Sequence, residues 1–89
     1  MEKGIITVVG KDQVGIIAKV CTYLAENELN ILDISQTIIQ GYFNMMMIIE
    51  LNDVKAIDSI CNDLDKLGDE IGVSIKLQHE NIFNKMHRI

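Results

Sequence analysis

Proline and tryptophan are both missing from this 89-residue chain, which has only two phenylalanines and two tyrosines. With 48% hydrophobic and 24% charged residues, this is a globular composition rather than a disordered or proline-rich one. Basic residues are scarce as well, and the net charge is −5. That argues against a free-standing nucleic-acid binder, which needs a basic face to neutralise phosphates. Lys85 and the single arginine, Arg88, are too few to make one. Long apolar runs are also lacking. The longest, Met45 to Ile49, is far too short to span a bilayer. Met1-Glu2-Lys3-Gly4 enters a strand with no signal-peptide pattern. Cys21 and Cys61 stand far apart, each on the apolar side of an expected helix, and no CxxC pair exists. Such placement suits reduced thiols in a cytoplasmic protein. The length makes one domain, which buries a little over ~60% of its unfolded surface.

What is present is a doubled order of strand, helix, strand. Ile5-Ile6-Thr7-Val8-Val9 is an apolar strand that stops at Gly10-Lys11-Asp12-Gln13-Val14-Gly15, where a helix opens. Asp12 is placed as the helix N-cap, its carboxylate accepting the amide of Val14 or Gly15. Gly15, in the first turn, has two readings. It either leaves unpaired amides bare for a carboxylate or phosphate, or only lets the helix sit close to its own sheet. Val14, Ile17, Cys21 and Leu24, with Ile16 and Val20 beside them, recur at steps of three and four. Asn27-Glu28 and Asn30 end that helix.

Ile31 to Gln40 reads as a second strand, with Leu32, Ile34 and Ile38 on one face and Asp33, Ser35 and Thr37 on a wetter one. Gln40-Gly41-Tyr42-Phe43 forms a hairpin turn with Gly41 at positive φ. Phe43 to Leu51 is the third strand. Asn52-Asp53 caps a second helix striped by Val54, Ile57, Ile60, Cys61, Leu64 and Leu67, and Gly68 or Gly72 stops it. Val73, Ile75 and Leu77 alternate with Ser74, Lys76 and Gln78 in a fourth strand.

The order βαββαβ is the split-βαβ arrangement of the ferredoxin-like fold, in the α+β class. It predicts a four-stranded antiparallel sheet with both helices on one face. Residues 1–78 make the domain, and residues 79–89 a short C-terminal helical extension. The first and third strands are apolar on both sides, yet two helices cover only one. The far side is therefore expected to expose an apolar patch, which points to a homo-oligomer built on a two-fold dimer. The rival cover is the extension itself, whose Ile82, Phe83, Met86 and Ile89 share a helical face.

Fold leaves function open, and the loop between first strand and first helix decides among chemistries. An acylphosphatase needs an arginine there, and a copper or zinc carrier needs CxxC; neither is present. An RNA-binding sheet shows aromatics beside basic residues, whereas Phe43-Asn44-Met45-Met46-Met47 has one aromatic and no base. Gly10 to Gly15 carries Asp12 where a dinucleotide fingerprint has its middle glycine. Asp63 and Asp65 begin a calcium spacing that Leu67 breaks. His79 and His87 have no partner at metal-ligand spacing and read as surface histidines. No nucleophile–base pair can be assembled, so no catalysis, metal or cofactor is expected.

Gly10-Lys11-Asp12-Gln13-Val14-Gly15-Ile16-Ile17-Ala18-Lys19-Val20, followed by Asn30-Ile31-Leu32-Asp33-Ile34-Ser35-Gln36, resembles the ACT domain. The likeness is strongest to stand-alone ACT proteins, the glycine cleavage system transcriptional repressor and the N-terminal module of formyltetrahydrofolate deformylase. The paired motifs G-x-D-x-x-G-I and N-I-L-D-x-x-Q span the first half of the chain, and the βαββαβ order extends to about residue 78. The resemblance implies a non-catalytic regulatory module that binds an amino acid or related metabolite where two domains meet, linked to transcriptional or metabolic regulation. It nominates Asp12, Gln13, Val14, Gly15 and Ile16, with Asn30, Ile31, Leu32 and Asp33 from the neighbouring subunit. One departure is Val14, where many members have proline.

On that site a ligand carboxylate would take amides around Val14 to Ile16, assisted by the helix dipole. Its ammonium would meet Asp12 or, across an interface, Asp33. Gln13 and Asn30 would read a polar side chain. The other reading is a ligand-free module whose Met-rich sheet docks on itself or on a protein partner.

Overall fold

Ile5 to Val9 and Met45 to Leu51 are rich in β-branched and apolar residues, and they pair at the centre of the sheet. The computed structural model describes residues 2–11, 14–51 and 57–80. Its order is β1 (Glu2–Lys11), α1 (Ile16–Glu26), β2 (Ile31–Ile39), β3 (Tyr42–Leu51), α2 (Ile57–Ile71) and β4 (Val73–His79). The strands lie in the spatial order β2-β3-β1-β4, every neighbouring pair antiparallel. This is the ferredoxin-like α+β arrangement expected from the sequence. The expected cap at Asn52-Asp53, Val54 and residues 81–89 of the helical extension expected at 79–89 lie outside the described residues, while His79 belongs to β4.

The core is one layer between the helices and one sheet face. Ile6 and Val8 of β1, Met45, Met47 and Ile49 of β3, and Ile75 and Leu77 of β4 pack with Ile16, Val20 and Leu24 of α1 and Ile60 and Leu64 of α2. Val14 does not join the stripe assigned to it; it precedes the helix and is fully exposed. The hairpin between β2 and β3 has positive φ at both central residues, Gln40 (51°) and Gly41 (82°), the two-residue geometry that suits the strands' twist. Of the two glycines nominated to stop the second helix, Gly72 does so. Gly68 lies inside α2, because a Cβ there would stand 2.6 Å from the Val73 carbonyl oxygen. The glycine lets α2 settle onto β4.

The two sheet edges are treated differently. Along β4, α2 overhangs the strand, and the Cys61 thiol donates to the Leu77 carbonyl at 3.5 Å. Burial pushes that thiol's pKa up, with Asp65 and Asp58 adding to the shift. Cys21 and Cys61 are both free and half-buried. At the other edge, no residue of β2 is buried; only Ile31 is even partly covered. Leu32, Ile34, Ile38 and Ile39 are between 40% and 58% exposed. A bulge between Ile31 and Asp33 takes Leu32 out of the expected alternation, so Ile31, Ile34 and Ile38 form the helix-side row opposite Ile49, Met47 and Phe43. Among the described residues neither helix covers Ile34 or Ile38.

Two long-range side-chain links escaped the sequence reading. His79 is half-buried rather than a simple surface residue, and its Nε2 pairs with the Glu2 carboxylate, tying the end of β4 to the start of β1. The Tyr23 hydroxyl donates to Asp63 Oδ2 at 2.8 Å, joining α1 to α2. Burial, then the Asp63 bond and charge, hold the phenol's pKa well above its ordinary value. A phenol pKa raised on folding contributes stability below the unfolded value near 10, and loses it as pH climbs through the folded one. Tyr23→Phe is thus expected to cost about 0.5–1 kcal/mol at pH 7.5, with the gap to wild type narrowing at pH 10.5. Urea unfolding at the two pH values reads this directly; a gap independent of pH would contradict it.

Candidate functional site

The turn into α1 is built around Gly15, not Asp12. Gly15 is the helix N-cap, in the left-handed conformation at φ 94°. The capping role assigned to Asp12 is thereby corrected, and Asp12 and Gln13 lie outside the described residues. A Cβ on Gly15 would meet nothing within 4 Å, so close packing on its own sheet is not why glycine stands here. The positive φ is the reason, and the bare surface is its consequence.

Lys19 N–H donates to the Gly15 carbonyl at 3.0 Å. The amides of Ile16, Ile17 and Ala18 come before that bond and have no intrahelical acceptor. Among the described residues no side-chain hydrogen bond caps this end, and the first turn holds no acidic residue. The helix therefore presents unpaired donors and the positive end of its dipole beside exposed Val14. Ile16 is 1% exposed and belongs to the core, so the surface of this turn is left to Val14, Ile17 and Ala18.

The second predicted group sits at the start of β2. Asn30 is exposed, and its carbonyl accepts Glu50 N–H at 2.9 Å. Ile31 packs partly against the core, and Leu32 stands out at the bulge. Asp33 is exposed, with Oδ1 accepting the Ile34 amide at 2.8 Å. That bond holds the carboxylate against the strand and leaves its other oxygen to solvent.

Within one chain these two groups are not brought together. β1 and β2 both run antiparallel to β3 and hence parallel to each other. Lys11 and Ile39 both pair with Tyr42 at one end of the sheet, whereas Gly4 and Ile31 both pair with Ile49 at the other. The loop leading to Gly15 and the start of β2 are thus separated by the length of a strand, about 26 Å. A single copy cannot close both around one small molecule.

Hollows among the described residues lie elsewhere, between α2 and β4, on the open sheet face and between α1 and α2. One of about 530 Å³ runs between α2 and β4, beside Asp65, Gly68, Asp69 and Ser74, and none of the described predicted residues lines it. Among the described residues, no three His, Cys, Asp or Glu side chains are grouped to hold a metal ion. No described helix is long and apolar enough to cross a membrane.

A four-stranded antiparallel sheet in the order β2-β3-β1-β4 with two helices is the architecture of an ACT domain. The ACT domain family model matches residues 3–78, and the chain belongs to that family. Membership implies a small-molecule-binding regulatory module. A UPF0237 protein of Bifidobacterium longum is 61% identical over 90 residues, covering all of both chains. Among solved structures, an ACT domain protein from Streptococcus pneumoniae superposes with a TM-score of 0.83 at 41% identity, covering 92% of this chain and 93% of that one. A putative glycine cleavage system transcriptional repressor shares the fold at a TM-score of 0.78 and 23% identity, across 88% of this chain and 45% of its own.

Proposed function

We propose that the chain is a non-catalytic regulatory domain that works as a homodimer in the cytoplasm and binds an amino acid or related metabolite at the seam between copies. The observation that carries this reading is the β2 edge, with Leu32, Ile34, Ile38 and Ile39 exposed along it, set against a β4 edge that α2 overhangs. An edge left bare in this way is a template for strand pairing. Two copies joined through β2 about a two-fold axis run their strands antiparallel, so the Ile31 end of one meets the Ile39 end of the other. Asn30 to Asp33 of one copy then approach the α1 N-terminus of its partner, and the separated halves face one site.

In that site the ligand carboxylate takes the amides of Ile17 and Ala18, and its ammonium meets the outer oxygen of Asp33 from the second copy. Regulation follows where the ligand favours one arrangement of the dimer over another, since equal affinity for both shifts nothing. Its output passes to a protein partner in transcriptional or metabolic control.

The experiment is a thermal-shift screen against amino acids, purines and folates. A ligand at 100 times its Kd adds about 2.7 kcal/mol, which moves the midpoint of so small a domain by roughly 10 °C or more. A shift confined to zwitterionic amino acids or their close relatives is the expected result. No shift with any compound, alongside stable capture of a protein partner, favours the ligand-free interaction module instead.

A further inference from the structure

The sheet face away from the helices is not the continuous apolar patch that the sequence suggests, because Thr7, Ser35, Thr37 and Asn44 interrupt it. An apolar groove lies instead on the opposite side of the molecule, between the two helices. It holds about 320 Å³ and is lined by Ala18, Lys19, Thr22, Tyr23 and Glu26 of α1 and by Leu67 of α2. Its floor is half-buried Tyr23 and Leu67, which pack on the core beneath. Its depth comes from small residues. Ala18 and Thr22 are exposed and one turn apart, and they leave space that longer side chains would fill. The Tyr23 hydroxyl donates to Asp63, so the ring is held in place.

Charge is unevenly spread around this groove. The strands balance Glu2, Asp33 and Glu50 against Lys3, Lys11 and Lys76. The second helix does not: Asp58, Asp63, Asp65, Asp69 and Glu70 stand against Lys66 alone. Asp63, Leu67 and Glu70 follow at steps of four and three, one stripe of α2, so carboxylates flank the apolar floor from that side. Glu26 flanks it from α1. We propose that the groove docks a basic amphipathic helix of a partner protein. Apolar residues of that helix sit on Tyr23 and Leu67, and its lysines or arginines lie over Glu26, Asp63 and Glu70. A second copy of this chain is disfavoured there, because its helix layer carries the same acidic excess. The proposal rests on the reading that a protein partner takes the domain's output, but on neither the ligand nor the β2 seam. Ala18 belongs both to the groove and to the first turn of α1, which sets partner and ligand on one helix.

The test titrates the isotope-labelled full chain, without ligand, with synthetic peptides. One is a leucine–lysine helix with leucines at i, i+3, i+4 and i+7; a second has the same composition scrambled; a third carries glutamate for lysine. The expected result is saturable binding of the first, with amide shifts centred on Thr22, Tyr23 and Leu67. The scrambled peptide should bind more weakly and the acidic one not at all. Thr22→Lys, at an exposed position, should weaken the first peptide by about tenfold by placing an ammonium in the apolar groove. Glu26→Gln with Glu70→Gln should weaken it and flatten its salt dependence. Equal binding of the ordered and scrambled lysine peptides would reduce the groove to general attraction of cations and overturn the proposal. Shifts centred on the β2 edge or the open sheet face, or no binding, would overturn it too. The ligand screen is read separately, so failure here leaves the metabolite reading standing.

Discussion

The double variant Ile34→Lys, Ile38→Lys is expected to sediment as a monomer at concentrations where the wild type is a dimer. Both side chains sit on the helix-side row of β2 and are 44% and 56% exposed in the single chain, so lysine there costs the isolated fold little. In the proposed seam the same positions are central, and each buried lysine leaves an unpaired ammonium in an apolar contact. The two-fold seam receives four such lysines, and at about 1 kcal/mol each they are worth on the order of 4 kcal/mol, roughly a thousandfold in dimer Kd. Circular dichroism should be unchanged while the mass halves. A dimer that survives both lysines would move the seam away from β2.

The second large effect belongs to Gly15. Gly15→Asp is expected to abolish ligand stabilisation while leaving the dimer intact. Aspartate is among the residues that tolerate left-handed φ, and a Cβ at this position meets no neighbour within 4 Å. It also favours the helix, because a negative charge suits an N-terminus. For an incoming carboxylate the same charge is repulsive by about 4 kcal/mol at an effective dielectric near 20, roughly a thousandfold in Kd. Gly15→Asn, similar in shape without the charge, should retain much of the binding. Calorimetric titration of both variants separates charge from bulk. Equal loss in the two would mean that the site rejects any side chain rather than a negative one.

Most of the fold was legible because its elements obey their periods. Ile5 to Val9, the stripe from Ile60 to Leu64, and Val73 to Leu77 all follow the spacing of a buried face, and each lies where that spacing puts it. The hairpin at Gln40-Gly41 was equally readable, since only a few residues accept its geometry. The errors sit where tertiary context overrides a local pattern. Leu32, Ile34 and Ile38 look like one packed face, but a bulge removes Leu32 and, among the described residues, neither helix covers the other two. Gln36, which lies opposite buried Met45 on that same side, was the available hint that the row stays open. Asp12 reads as a good cap by residue type, yet the helix starts later, at a glycine whose φ no composition rule announces. The Glu2–His79 and Tyr23–Asp63 links were invisible because their partners are distant along the chain.

The candidate site was legible as two motifs and not as one place. Sequence places Gly15 near a strand end and Asp33 at a strand start, but says nothing of which ends coincide. Strand direction supplies that, and it sets the halves a strand apart within one copy. Whether they join is what the whole functional reading turns on.

A mixing experiment addresses it most directly, using whichever compound the screen returns. Gly15→Asp damages the helix half of the site and Asp33→Lys damages the strand half, so neither variant alone should bind. Mixed and allowed to exchange, they form dimers in which one seam site takes both of its halves from undamaged positions. The account predicts that about a quarter of the binding capacity returns on mixing. Capacity that stays at zero in a sample proven to contain the mixed dimer would contradict a site shared between two copies.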